Sequence, residues 1–126
     1  SLIYMDAANV AYLKHKQLHQ AEVRFKRAAV LDPENQRCRQ RLVKLYMQQK
    51  RFAEAAEICR QLCQLNPNSA TYHLNTGMIL AKLRRFDAAD EAMRKAARLA
   101  PGNASIRRVR EQLRRQAGID LSREIK

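Results

Sequence analysis

Hydrophobic positions recur along the chain in two nested rhythms. The shorter one is helical. Ala55, Cys59, Leu62 and Cys63 fall at i, i+4, i+7 and i+8, which places them on one face of a helix. Cys38, Leu42, Leu45 and Tyr46 form a similar stripe in the preceding stretch. Between the two stripes lies a polar run, QQKR, at Gln48–Arg51. Polar runs recur as KHKQ (Lys14–Gln17) and KLRR (Lys82–Arg85). The pattern predicts pairs of helices, each pair joined by a short turn.

The longer rhythm is set by proline. Pro33, Pro67 and Pro101 are the only prolines, and each stands 34 residues from the next. Reading back from each proline aligns the apolar positions into columns. They include Leu31/Leu65/Leu99, Ala28/Leu62/Ala96, Phe25/Cys59/Met93, Ala21/Ala55/Ala89, Leu18/Phe52/Phe86, Tyr12/Tyr46/Leu80 and Tyr4/Cys38/Tyr72. Proline disfavours helix in the residue before it and cannot donate to a continuing one, so it acts as a stop. Two residues later come Asn35, Ser69 and Asn103. Their side-chain oxygens suit the first free N–H groups of a new helix.

These columns resemble the tetratricopeptide repeat family, whose unit is a 34-residue helix–turn–helix with small residues at helix contacts and a proline near its end. The matching signature is the alanine column Ala21/Ala55/Ala89, the Tyr12/Tyr46 pair and the prolines. The family's tryptophan column reads Met5, Arg39 and His73 here, and its glycine column Asn9, Val43 and Gly77. The resemblance implies an all-α fold: an α-solenoid of three helix–turn–helix units plus a C-terminal capping helix. The expected boundaries within a single domain, 1–126, are repeats at 2–35, 36–69 and 70–103, a cap at 104–117 and a tail at 118–126. Ile106, Val109, Leu113 and Ala117 give the cap a narrow apolar stripe, with arginines on its other side. The tail either extends that helix or is loosely ordered. At the other end, Leu2, Ile3, Tyr4 and Met5 are consecutive and cannot all face one core. That predicts a cover for the first helix, a further repeat of a longer parent protein or a second copy of the domain.

Composition narrows the function. Three glycines and abundant Ala, Leu, Arg, Gln and Lys suit helices. The net charge of +13 favours anionic partners, with a solvated basic surface as the bland alternative. Cys38, Cys59 and Cys63 cannot all pair and form no CxxC, so reduced thiols and a cytoplasmic setting are expected. No apolar run approaches a membrane span.

Catalytic chemistry is not expected, nor is a cofactor. Ser69 and Ser105 sit at helix starts. His15 and His19 flank the expected turn of the first unit, and no carboxylate pair has an apolar setting. Cys59 and Cys63 have the spacing of half a metal site, but both occupy core columns, so no metal is expected. The Asn103–Ser105 run NAS matches a glycosylation acceptor, while Asn103 is already accounted for as a helix cap.

The family resemblance implies a peptide-binding groove lined by the first helix of each unit. Carried over, its residues are Arg37, Gln40, Arg41, Lys44, Thr71, Asn75, Met78, Lys82 and Arg108, with Ile3, Asp6, Val10, Lys14, Gln48, Leu74 and Gln112 completing the lining. That lining fits an acidic, partly hydrophobic segment of a partner protein, for which the domain would act as a scaffold. The carboxylate clamp by which some relatives hold chaperone tails is not expected. Its places read Asp6, Val10, Arg41, Thr71 and Asn75, or one unit later Gln40, Lys44, Asn75, Ser105 and Val109. The alternative partner is nucleic acid or another polyanion, held by the basic turn edge of Lys14, Lys16, Lys50, Arg51, Lys82, Arg84 and Arg85. Cations near a helix C-terminus also serve its dipole, and base-stacking aromatics are missing from that edge.

Overall fold

The computed structural model describes the backbone of residues 2–125 and the side chains of residues 13–118. Six helices follow one another: α1 (Leu2–Leu31), α2 (Gln36–Gln48), α3 (Phe52–Leu65), α4 (Ala70–Lys82), α5 (Phe86–Leu99) and α6 (Ala104–Ile125). Each packs on the next, and α4 also reaches α6. The arrangement is an all-α repeat solenoid. The expected facing of Leu2, Ile3, Tyr4 and Met5, the Tyr12 place in its column and the lining by Asp6 and Val10 lie outside the described side chains.

The three expected caps form. Asn35 Oδ1 accepts from Cys38 N at 3.3 Å and Ser69 Oγ from Tyr72 N at 3.3 Å. Asn103 Oδ1 accepts from Ser105 N at 2.9 Å and Ile106 N at 3.3 Å.

The turns inside the second and third units share one geometry. Lys50 and Arg84 are left-handed, with φ of 58° and 62°. Arg51 N donates to Tyr46 O at 2.8 Å and Lys50 N to Met47 O at 3.1 Å; Arg85 N and Arg84 N donate to Leu80 O and Ala81 O at 3.0 Å each. This is the Schellman closure, which glycine usually supplies. A side chain in the left-handed region costs about 1–2 kcal/mol, so packing beyond the turn must hold it. Phe52 and Phe86, just after the turns, supply part of that packing against the two core clusters.

The first unit departs from expectation. α1 runs unbroken through Lys14–Gln17, where a turn was expected. Lys16 stands in the column of Lys50 and Arg84, and Leu18 replaces the phenylalanine. Without a glycine to ease the left-handed residue or an aromatic ring to pull the chain back, continuing the helix is the cheaper solution. At the C-terminus the tail takes the first of its two expected forms and extends the helix. α6 passes Ala117 and Gly118 to reach Ile125, since one glycine costs only about 1 kcal/mol in a helix and no proline follows.

One core cluster joins α2, α3 and α4 through Leu42, Val43, Tyr46, Ala55, Cys59, Leu62, Tyr72 and Ile79; another gathers Ala89, Met93 and Leu113. Ala55 and Ala89 are fully buried, as their column predicts for a close helix contact. Two columns trade volume between units. In one unit Val43 and Cys59 share the cluster. In the next, Gly77 occupies the valine place and Met93 the cysteine place. A Cβ on Gly77 would stand 2.8 Å from Met93 Cε and 3.0 Å from its Cγ.

The residues replacing the family's tryptophan column have a different job. Arg39 Nη1 donates to Pro33 O at 2.7 Å, and its Nε to Gln61 Oε1 at 3.1 Å. His73 Nε2 lies 2.8 Å from Pro67 O. A carbonyl only accepts, so this nitrogen carries the proton. Each side chain clasps the inter-unit turn back onto its own helix.

Candidate functional site

The residues expected to line a groove lie on α2, α4 and α6. Tyr72 joins α4 to α2: its hydroxyl donates to Gln36 Oε1 at 2.8 Å and accepts from Gln40 Nε2. Gln40 is therefore held against α4 by Tyr72. Arg41 and Lys44, one helical turn further along α2, are exposed. They share a cavity of about 450 Å³ with Phe25, Leu45 and Gln48. Met78 and Lys82 line a second cavity of about 220 Å³ with Val109, Gln112 and Gln116 of α6. Both cavities have an apolar floor and polar or cationic walls. Arg37, Thr71 and Arg108 are exposed and Asn75 half-buried, and none of them lines either cavity.

On the basic turn edge Arg51 is committed to carboxylates, while Lys50, Lys82, Arg84 and Arg85 are exposed. Arg51 Nη1 donates to Glu22 Oε2 at 2.8 Å, its Nη2 to Glu22 Oε1 at 2.9 Å and its Nε to Glu54 Oε1 at 2.8 Å. Lys14 and Lys16 lie within α1 rather than in a turn. Lys50 and Arg84 occupy the strained turn positions.

Arg51 is the centre of a polar node that the sequence pattern did not reveal. Glu22 is only 6% exposed. Besides Arg51 it accepts from Tyr46 Oη at 3.1 Å and pairs with Lys26 Nζ at 3.2 Å. The Arg51 guanidinium lies 4.6 Å from the centre of the Tyr46 ring, within cation–π range. The Arg51 bond, outweighing burial, lowers the Glu22 carboxyl from 4.5 to about 2. Burial raises the Tyr46 hydroxyl, and the Glu22 bond raises Lys26. The node fastens the second half of α1 to the first intra-unit turn. Its only sequence signal was an acid beside the small Ala21.

Cys59 is buried and Cys63 half-buried, and the Cys63 Sγ lies 3.4 Å from Thr76 Oγ1. Burial first, then the neighbouring Cys63, pushes the Cys59 thiol up to about 12, which suits packing rather than nucleophilic or ligand chemistry. Among the described residues no group of three or more His, Cys, Asp or Glu is placed to hold a metal. Nor is any described helix long and apolar enough to cross a membrane.

Two family models described as tetratricopeptide repeat match the chain, over residues 42–114 and 10–70. The chain belongs to the tetratricopeptide repeat family. No curated protein matches it. Among solved structures, the first repeat domain of Spaghetti (RPAP3), bound to the HSP90 peptide SRMEEVD, is 19% identical, with a TM-score of 0.70 and 83% of each chain covered. The Arabidopsis OM64 repeat domain is 23% identical at TM-score 0.68, covering 85% of this chain and 88% of its own. A crystal structure of MamA is 21% identical at TM-score 0.74, and the match spans 83% of this chain but only 61% of MamA. At these identities the likeness establishes the fold. As a tetratricopeptide repeat protein, the chain is a protein-interaction module.

Proposed function

We propose that this repeat domain binds acidic, partly hydrophobic peptide segments along the α2–α4–α6 face. The observation that carries the reading is the pairing of exposed Arg41 and Lys44 over an apolar-floored cavity. The Met78–Lys82 cavity against α6 extends the same chemistry across a second unit. The HSP90 peptide held by the Spaghetti domain carries consecutive glutamates and a terminal aspartate, a chemistry that this cationic face also suits. Charge-assisted hydrogen bonds to carboxylates fix such a segment, and the apolar floor takes its hydrophobic side chains.

The test is an array of acidic peptides probed with the intact protein and with Arg41→Glu/Lys44→Glu. The double variant should lose at least about tenfold in affinity. Unchanged affinity would refute the groove. A preference for nucleic acid, lost instead on reversing Arg84 and Arg85, would transfer the function to the turn edge. The exposed Leu13, Val23, Val30 and Leu31 of α1, the last two 78% accessible, support a neighbouring helical unit against that helix. Sedimentation of the Val30→Glu/Leu31→Glu variant at rising concentration tests whether a second copy supplies it.

A further inference from the structure

The face of α6 turned away from the Met78–Lys82 cavity carries arginines in columns that pack inward elsewhere. Positions six, nine, ten and thirteen past each proline give Arg39, Leu42, Val43 and Tyr46 on α2, and His73, Thr76, Gly77 and Leu80 on α4. On α6 the same positions hold Arg107, Arg110, Glu111 and Arg114. In the earlier helices, Leu42, Val43, Tyr46 and Gly77 are buried, and Arg39 and His73 clasp proline carbonyls. On α6 the four instead line one cavity of about 140 Å³, floored by Ala97 and Pro101. Arg110 also lines an adjoining cleft with Arg94 and Arg98. Its Nε is buried without an acceptor among the described residues. A buried charged donor left unsatisfied is costly, and an anion held at the cavity by the Arg110 guanidinium would offset part of that cost.

We propose that this cavity receives the phosphate monoester of a phosphorylated serine or threonine in a partner protein. Three guanidiniums against the single Glu111 carboxylate leave a surplus of two positive charges at the cavity. A phosphate monoester carries about −1.5 to −2 at neutral pH, and arginine forks match its oxygens. A carboxylate side chain offers only about half to two-thirds of that charge. The small cavity suits one group rather than a continuous nucleic-acid backbone, and among its described lining no aromatic ring is present to stack a base. In the adjoining cleft Arg94 is already held by Asp90 at 3.0 Å, which leaves Arg98 to meet an acidic residue next to the phosphate. The site is separate from the Arg41–Lys44 groove and does not depend on it.

The intact protein is offered a degenerate peptide library with phosphoserine fixed at its centre, beside libraries with serine or glutamate there. The phosphoserine library should be retained at least about tenfold better than either. The best phosphopeptide should shift the Arg110 Nε–H resonance and bind at least about tenfold more weakly to Arg110→Leu and to Arg107→Gln. Leucine is the residue that α2 carries in the Arg110 column, so Arg110→Leu should remain folded, as its helical circular dichroism would verify. Arg60 is exposed on α3 and lines neither cavity, so Arg60→Glu should leave phosphopeptide binding unchanged. Equal retention of the three libraries would overturn the proposal. So would undiminished phosphopeptide affinity in both arginine variants, or tighter binding of a single-stranded RNA oligonucleotide through the same arginines.

Discussion

Replacing Glu22 by glutamine removes one charge and keeps the side chain's size. In the native protein the carboxylate takes two bonds from Arg51 at 2.8 and 2.9 Å, one from Tyr46 and a contact from Lys26. Lowering its pKa from 4.5 to about 2 on folding corresponds to about 3 kcal/mol at neutral pH. Arg51 keeps Glu54 and Gln49 as partners, so the loss should not reach the upper end measured for broken buried pairs, about 5 kcal/mol. Glu22→Gln is therefore expected to cost about 2–3 kcal/mol in urea unfolding at neutral pH. The sign of the pH dependence follows from a depressed carboxyl. Its contribution is complete above the unfolded value near 4.5 and is lost as pH falls toward 2. The gap between native and variant should thus shrink to less than half by about pH 3. The other carboxylates titrate in both proteins and cancel in the difference. A cost below about 0.5 kcal/mol at neutral pH, or a gap that stays constant on acidification, would refute the node as a stabilising element.

Leu62 is 3% exposed in the core that joins α2, α3 and α4, so Leu62→Ala should cost about 2–5 kcal/mol in the same unfolding assay; a loss below about 0.5 kcal/mol would refute its place in that core. Gly77→Val places methyl groups where Met93 already lies, and should cost about 1–3 kcal/mol by overpacking. Adding Met93→Cys should return much of that loss, and purely additive costs would show that the two positions are not coupled.

Much of the fold was legible because repetition multiplies weak signals. A lone proline or alanine says little, but Pro33, Pro67 and Pro101 with Ala55 and Ala89 in register fix unit length and helix contacts together. Caps were legible because they are local, as Asn35, Ser69 and Asn103 show. The first turn was not. KHKQ and QQKR have the same polar character, and the difference lies in what the returning helix meets. Arg51 and Phe52 find Glu22 and the core, whereas Gln17 and Leu18 stay within α1. The Glu22–Arg51 pair spans 29 residues, beyond the reach of helical periodicity. The family resemblance put Arg41 and Lys44 on one helix and Met78 and Lys82 on another, and those helices are α2 and α4. That Gln40 would be committed to Tyr72 while Arg41 and Lys44 stayed free for solvent depended on rotamers that no column encodes.

The exchange of volume between Val43/Cys59 and Gly77/Met93 has a consequence for rebuilding the array. Repeats of equal length invite cut-and-paste, yet the two units are not interchangeable helix by helix. A chimera carrying Val43 opposite Met93 would force overlap, and one carrying Gly77 opposite Cys59 would leave a hole. Recombination points placed between units, at Pro67 and its neighbours, keep each complementary pair intact. Points placed within a unit, at the Lys50 or Arg84 turn, split it. The portable part of this protein is the hairpin, and its two helices have to travel together.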